Sequence, residues 1–126
     1  MQTDEIPDAV RRLIIENIDL VPELEAILLL REFPEHTWTA DEAGQRLYVS
    51  RNVAVDILET MTERGFFVRD GEGYRYSPRS ADLASVVDLL AVAYSKQLRA
   101  VTMLIHGKPS AGVRQFAEAF RLRKDK

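Results

Sequence analysis

The side chains that most often carry out chemistry in proteins are few in this sequence and lie far apart. The two histidines, His36 and His106, are isolated, and neither has a partner at the spacing typical of helical metal ligands. The chain has no cysteine, which removes thiolate catalysis, thiolate metal sites and disulfides. The pair Asp41-Glu42 opens a predicted helix, where carboxylates favour the positive end of the helix dipole, so it does not indicate a catalytic pair.

Residues 106–110 contain Gly-Lys close to a serine, as a phosphate-binding loop does. The earlier glycine and the preceding strand of such a loop are missing, and Pro109 interrupts the pattern. We interpret this segment as a turn between two helices. The sequence therefore predicts a protein that is not an enzyme and that binds neither a metal nor a cofactor.

The stretch 37–78 carries the most specific local signals. Thr39 and Glu42 have the spacing of a capping box, which predicts a helix from Ala40. Tyr48-Val49 forms a turn, and Ser50 is the predicted N-cap of a second helix that ends at a C-cap glycine, Gly65. The second helix has an apolar stripe made of four residues, Val53, Ile57, Leu58 and Met61.

Two aromatic, β-prone segments follow, at residues 66–69 and 74–76, and they predict a hairpin. The turn signal between them covers residues 70–73, so we expect a loop longer than two residues. Residues 35–38 are an extended connection that can supply a short strand. Trp38 and the aromatic residues of the hairpin are predicted to pack against the helices. Aromatic pairs across the two strands also stabilise the hairpin.

Helical patterns flank this stretch on both sides. Two N-terminal helices are predicted to start near Pro7 and Pro22, because proline suits the first turn of a helix. One long helix is predicted from Asp82 to Ile105, and a last helix after Ser110. The predicted fold is mainly α with a small β-hairpin wing, with N-terminal helices in residues 1–36, the central unit in 37–78 and C-terminal helices in 79–126.

Charge is distributed unevenly along the chain. The formal net charge is −3 at pH 7, but residues 1–36 hold three basic and nine acidic side chains, residues 37–78 five and seven, and residues 79–126 nine and four. The chain shows no signal peptide pattern and no apolar run of the ~20 residues that span a bilayer. We therefore expect a cytoplasmic protein. Its length of 126 residues predicts one domain, or one small domain with an extension.

The central stretch resembles the winged helix-turn-helix of MarR-like bacterial transcriptional regulators. The matching segments are 39–43 for the positioning helix, 47–50 for the turn, 52–58 for the recognition helix, 62–68 for its end and the first wing strand, and 74–76 for the second strand. The resemblance implies a winged helix-turn-helix with a long C-terminal helical extension. It also implies a regulator that binds double-stranded DNA.

In such a protein the recognition helix enters the major groove with its N-terminus first. Ser50, Arg51, Asn52 and Val55 would face the bases, since arginine pairs with guanine, asparagine with adenine, and an apolar group meets the thymine methyl. On and beside the wing, Arg69, Arg75 and Arg79 would contact phosphates. Arg51 and Asn52 can equally be ordinary solvated residues of a helix start.

The charge of the same helix favours a second interpretation. The surface of this helix carries three acidic residues, Asp56, Glu59 and Glu63, and only two basic ones, Arg51 and Arg64. Most non-specific affinity for DNA comes from attraction between basic residues and phosphate, which this helix supplies poorly. Winged helices also serve as protein-interaction modules, for which an acidic helix is no obstacle. The alternative prediction is thus a winged-helix module that binds a protein partner and not DNA.

The C-terminal apolar stripe predicts a homodimer, because it exceeds what the central unit can cover. The predicted contacts are Leu90, Tyr94, Leu98, Val101, Phe116 and Phe120. Packing of this stripe on the N-terminal helices is the other possibility. The basic residues of the C-terminal part would either face phosphates or pair with the acidic N-terminal helices.

Overall fold

A computed structural model describes residues 6–107 of the chain, and these residues form six helices and one two-stranded antiparallel hairpin. The helices in chain order are α1 (Asp8–Asn17), α2 (Val21–Glu32), α3 (Ala40–Leu47), α4 (Arg51–Glu63), α5 (Ala81–Lys96) and α6 (Leu98–His106). The strands β1 (Phe67–Asp70) and β2 (Gly73–Tyr76) lie between α4 and α5. The predicted mainly helical fold with a small hairpin is confirmed at this level.

The two N-terminal helices begin where the prolines predict. Pro7 is the N-cap of α1, and Pro22 lies in the first turn of α2. Apolar residues at helical spacing bury one face of α1, and α2 buries Leu24, Ile27 and Leu30. The turn between the helices is held by Glu23, whose Oε1 accepts from the N–H of Asp19 at 2.8 Å. Helices α1 and α2 therefore enter the same core.

The capping signals of α3 and α4 are confirmed. The Thr39 hydroxyl accepts from the N–H of Glu42, and the Glu42 carboxylate accepts from the N–H of Thr39, each at 3.1 Å. Ser50 accepts from the N–H of Val53 at 3.2 Å and starts α4. After α4 the chain turns at Gly65, whose φ of 94° suits a residue without a Cβ.

The hairpin is tighter than the sequence predicts, because its loop has two residues and not more. Asp70 pairs with Gly73 in the ladder, so only Gly71-Glu72 connects the strands. Gly71 has a φ of 63°, and a positive φ at the first central residue is the pattern of a type II′ turn. The predicted extended segment before α3 also pairs: Trp38 and Tyr74 exchange backbone hydrogen bonds of 2.7 and 2.8 Å.

The single long helix predicted from Asp82 to Ile105 is wrong at its centre. Gln97, with φ −134° and ψ 50°, separates α5 from α6. Its N–H donates to the carbonyl of Ala93 at 2.7 Å and its carbonyl accepts from Val101 at 3.0 Å, so the break leaves no backbone group of Gln97 unpaired. An unbroken helix over this span would be about 36 Å long. The break instead lets both helices contact α1.

One continuous cluster of buried side chains takes members from all six helices and both strands. Leu90 and Val101 belong to this cluster and are fully buried within the single chain. Trp38, Phe66, Phe67 and Tyr74 are buried as predicted, so the hairpin is attached to the helices through its aromatic residues. None of the helices in the described part of the chain is long and apolar enough to cross a membrane.

Candidate functional site

The start of α4 presents the predicted base-contacting residues to solvent. Ser50, Arg51 and Asn52 are exposed, and the Ser50 side chain is used as the N-cap. Arg51 is not free, because its Nε lies 3.4 Å from a carboxylate oxygen of Asp41 at the start of α3. Val55, one turn later, is half-buried and packs partly against the core. Arg51, the best candidate for a specific base contact, is thus engaged in an ion pair between α3 and α4.

A cleft of about 470 Å³ lies between the start of α3, one side of α4 and the hairpin. Arg51, Val55 and Arg69 line it, so the fold brings three of the seven predicted DNA-contacting residues into one cleft. The same cleft is lined by three carboxylates, Asp41, Glu59 and Glu72. Acidic groups therefore outnumber basic groups on its walls.

Arg69 is held inside this cleft by a network that joins the hairpin to α4. Its guanidinium donates to Glu59 at 2.9 Å and to the Tyr74 hydroxyl at 3.2 Å, and lies 4.9 Å from the centre of the Tyr74 ring. The Tyr74 hydroxyl donates to the same oxygen of Glu59. This hydrogen bond from Tyr74, helped by Arg69 and opposed by burial, lowers the pKa of Glu59.

Arg75 lies on the other face of the hairpin from Arg69. Arg69 pairs with Tyr74 in the ladder and Arg75 with Val68, and successive side chains of a strand point to opposite faces. Its Nε is 3.5 Å from a carboxylate oxygen of Asp70. The Thr37 hydroxyl donates to Asp70 at 2.5 Å, and this bond, followed by the Arg75 bond and charge, lowers the pKa of Asp70.

Arg79 is at the opposite end of α4 from Ser50. Its guanidinium donates to the carbonyl of Arg64 at 2.6 Å, which satisfies the C-terminal end of the helix. Since α4 has 13 residues, this end is roughly 20 Å from the start of the helix. The geometry does not place Arg79 with Arg51 and Asn52 on one surface.

Comparison of the chain with protein-family models, with curated proteins and with solved structures found no match in any of the three. The resemblance to MarR-like regulators consequently rests on the sequence segments alone. Functional conclusions for this chain have to come from its own geometry.

Sequence reasoning identified the arginines but missed their partners. The acidic residues Asp41, Glu59 and Asp70 pair with Arg51, Arg69 and Arg75 respectively. Each pair joins separate elements or crosses the hairpin, so no helical spacing rule connects the two residues. The only signal in the sequence is the excess of acidic over basic side chains in residues 37–78.

The predicted dimer contacts fall into four groups. Leu90 and Val101 are buried in the chain's own core, so for these two the alternative of packing on the N-terminal helices is what the structure shows. Tyr94 is half-buried and its hydroxyl donates to Glu25 of α2 at 3.2 Å. Leu98 is 54% exposed and available to a second chain. Phe116 and Phe120 lie outside the described residues.

Across residues 6–107, no group of three or more histidine or carboxylate side chains is arranged to hold a metal ion. Four charged side chains of the cleft form ion pairs between structural elements, Arg51 with Asp41 and Arg69 with Glu59. The cleft thus has fixed charges on walls formed by α3, α4 and the hairpin.

Proposed function

We propose that this chain is a winged-helix module that binds a protein partner. The proposal is supported by the order α3, turn, α4 and hairpin, which is compatible with a winged helix in which α4 would be the recognition helix and the hairpin the wing. The observation that carries the proposal is that each of three arginines is paired with a carboxylate. Arg51 and Arg69 pair with Asp41 and Glu59 in the cleft, and Arg75 pairs with Asp70 on the other face of the hairpin.

The magnitudes show why these pairs matter. An exposed ion pair contributes only about 0–1 kcal/mol, so a phosphate could displace each carboxylate at small cost. The displaced carboxylate, however, would remain beside the phosphate and repel it. Asp56 and Glu63 add exposed negative charge on α4, and neither has a cationic partner within the described part of the chain. A basic protein surface, in contrast to a phosphate, is attracted by every one of these carboxylates.

Capture of the partner from nuclease-treated extract of the source organism tests this proposal. The immobilised wild-type chain should retain a protein in a fixed ratio, and Asp56→Lys with Glu63→Lys on α4 should reduce that retention at least tenfold. Asp8→Lys with Glu16→Lys, a matched charge reversal on the exposed side of α1, should leave it unchanged. Retention that disappears with nuclease treatment, or that survives the α4 charge reversal, contradicts the proposal.

The second candidate is the MarR-like transcriptional regulator, a cytoplasmic homodimer that reads DNA. The observation in its favour is the exposure of Ser50, Arg51 and Asn52 at the start of α4, where a major-groove reader needs them. Arg51→Ala together with Arg75→Ala should then weaken binding to genomic fragments. If the binding to every fragment is unchanged in this variant, the assigned reading surface is wrong.

A further inference from the structure

A second pocket, on the other side of α3 from the cleft, has a different chemical character. It lies between the end of α2 and α3, has a volume of about 370 Å³, and is lined by Phe33, His36, Trp38, Glu42, Gln45 and Arg46. Neither predicted function uses these residues. The pocket is concave and combines aromatic faces with polar groups, as sites for small ligands and side chains do.

The aromatic rings of this pocket fix the position of Arg46. The rings of Phe33 and Trp38 have centroids 6.1 Å apart, and the guanidinium carbon of Arg46 lies 5.8 and 5.6 Å from them. His36 packs edge-on against Trp38 at 4.6 Å. A cation held near two ring faces is attracted by both, so the guanidinium is oriented before any ligand arrives.

Arg46 is the cation of this pocket. Within residues 6–107 it has no anionic partner, since no carboxylate lies within 4.0 Å of its guanidinium. The pocket also contains the carboxylate of Glu42, whose Oε1 accepts from the N–H of Thr39 at 3.1 Å and lies 3.3 Å from Nε2 of His36. A ligand that pairs with the Arg46 guanidinium has to bring an acceptor, and a carboxylate matches the planar guanidinium.

A shallow groove of about 310 Å³ continues on the far side of Arg46. Its apolar walls come from Leu28, Leu29, Tyr48 and Tyr94. Tyr48 is 94% exposed and has a φ of 60°, a conformation that costs a residue with a Cβ about 1 kcal/mol or more. The groove also carries two carboxylates, Glu25 and Glu32, whereas the Trp38 side of Arg46 carries one, Glu42. A ligand carboxylate is therefore repelled less on the Trp38 side of Arg46, and an apolar side chain fits the groove.

We propose that this surface binds a segment of a partner protein in which a Glu or Asp stands next to a large apolar residue. The carboxylate accepts from the Arg46 guanidinium beside the Phe33 and Trp38 rings, and the apolar side chain lies over Leu28, Leu29 and Tyr94. The proposal rests on the proposed function, because the segment belongs to the protein partner. It adds the chemistry that this partner must present, at a site separate from the acidic face of α4.

Trp38 is the single tryptophan of the chain, so its fluorescence reports directly on the pocket. The probes are two blocked peptides, acetyl-Phe-Glu-Leu-amide and acetyl-Phe-Gln-Leu-amide, which differ by one carboxylate. Titration of the full chain should give a saturable change in Trp38 emission with the first peptide. The second should bind at least tenfold more weakly, since the amide lacks the charge that the guanidinium recognises.

Variants at Arg46 assign the effect to this side chain. Arg46→Gln should remove the tenfold preference for the carboxylate peptide, whereas Arg11→Gln, at an exposed position on α1, should retain it. Equal affinity for both peptides, no saturable change with either up to millimolar concentration, or a preference that survives Arg46→Gln would overturn the proposal. The peptide titration involves neither DNA nor the α4 charges, so its failure is distinguishable from failure of the proposed function.

Discussion

At the scale of single residues, Arg64 connects the end of α4 to the turn between α1 and α2. It donates to the carbonyl of Asn17, and its guanidinium lies 3.3 Å from Asp19 and 3.6 Å from Glu23. Glu23 is only 6% exposed, so loss of the cation would leave a buried carboxylate poorly compensated. Arg64→Ala should lower the free energy of unfolding by roughly 2–3 kcal/mol.

Urea unfolding followed by circular dichroism checks this value. Arg11→Ala, at an exposed position on α1, is the matched control and should change the free energy of unfolding by less than about 0.5 kcal/mol. An Arg64→Ala protein as stable as the control would show that Glu23 is adequately held by backbone N–H groups alone.

Two carboxylates make the stability of the hairpin region depend on pH. The pKa of Glu59 is lowered mainly by the Tyr74 hydrogen bond, and that of Asp70 mainly by the Thr37 hydrogen bond. A carboxyl group whose pKa is lower in the folded state stabilises the protein above its unfolded pKa, and this contribution is lost as the pH falls through the folded pKa. The free energy of unfolding should therefore decrease as the pH falls below about 4.5.

Glu59→Gln with Asp70→Asn isolates this effect. The double variant should show a shallower decrease in urea midpoint between about pH 5 and pH 3 than the wild type, because neither altered group titrates. Parallel pH profiles for the two proteins would mean that other carboxylates determine the acid sensitivity.

Features of single residues were predictable wherever the interacting residues are close together in the sequence. Thr39, Ser50 and Gly65 were identified correctly, since a cap needs only the next three or four residues. The partners of Arg51 and Arg69 were not identified, because Asp41 and Glu59 approach them only after α3, α4 and the hairpin have packed together. The paired state of the arginines, on which the proposal of a protein partner rests, required the structure.

At the scale of elements, the hairpin contains two glycines that are needed for different reasons. A Cβ on Gly73 would lie 2.6 Å from Cγ2 of Thr37 and 2.7 Å from the carbonyl oxygen of Trp38. A Cβ on Gly71 would meet nothing within 4 Å, but the φ of 63° there is unfavourable for other residues. Gly71→Ala should cost about 1 kcal/mol, and Gly73→Ala about 2–3 kcal/mol.

The two variants also differ in a local signal. Only Gly73→Ala disturbs the backbone bridge between Trp38 and Tyr74, so only this variant should shift the Trp38 emission of the folded protein. Equal stabilities and unchanged emission in both variants would show that the strand can move away from Trp38 without loss of packing.

Within residues 6–107 the elements were predicted with two exceptions, and both have a physical cause. The last helix, predicted after Ser110, lies outside the described residues. The apolar periodicity of residues 82–105 continues through Gln97, so nothing in the pattern reveals that the chain bends there to keep both α5 and α6 on α1. The length of the hairpin loop was overestimated because Asp70 and Gly73 are typical turn residues. Gly73 nevertheless belongs to the strand, where the close approach of Trp38 requires a residue without a side chain.

At the scale of the whole molecule, we predict a homodimer, and the exposed side chains show which residues can be tested. Leu98 of α6 is exposed, as are Leu89 and Val92 of α5 and Met103 of α6. If Leu98 lies in the contact between two chains, Leu98→Asp should convert the protein to a monomer in sedimentation equilibrium. Ile15→Asp, at a similarly exposed apolar position on α1, serves as the control and should remain dimeric. A monomeric wild type at about 100 µM would show that the surface does not join two copies with useful affinity.

The central claim is that the face formed by α4 and the hairpin binds protein and not DNA. Its most direct test is the dissociation constant for genomic DNA fragments between about 50 and 200 mM salt, for the wild type and for Arg51→Ala with Arg75→Ala. We predict weak binding by both proteins at each salt concentration, because the arginines are paired with Asp41 and Asp70, whose carboxylates repel phosphate. Tight binding that weakens steeply with salt, with a shallower salt dependence in the double variant, would contradict the claim and establish the regulator instead.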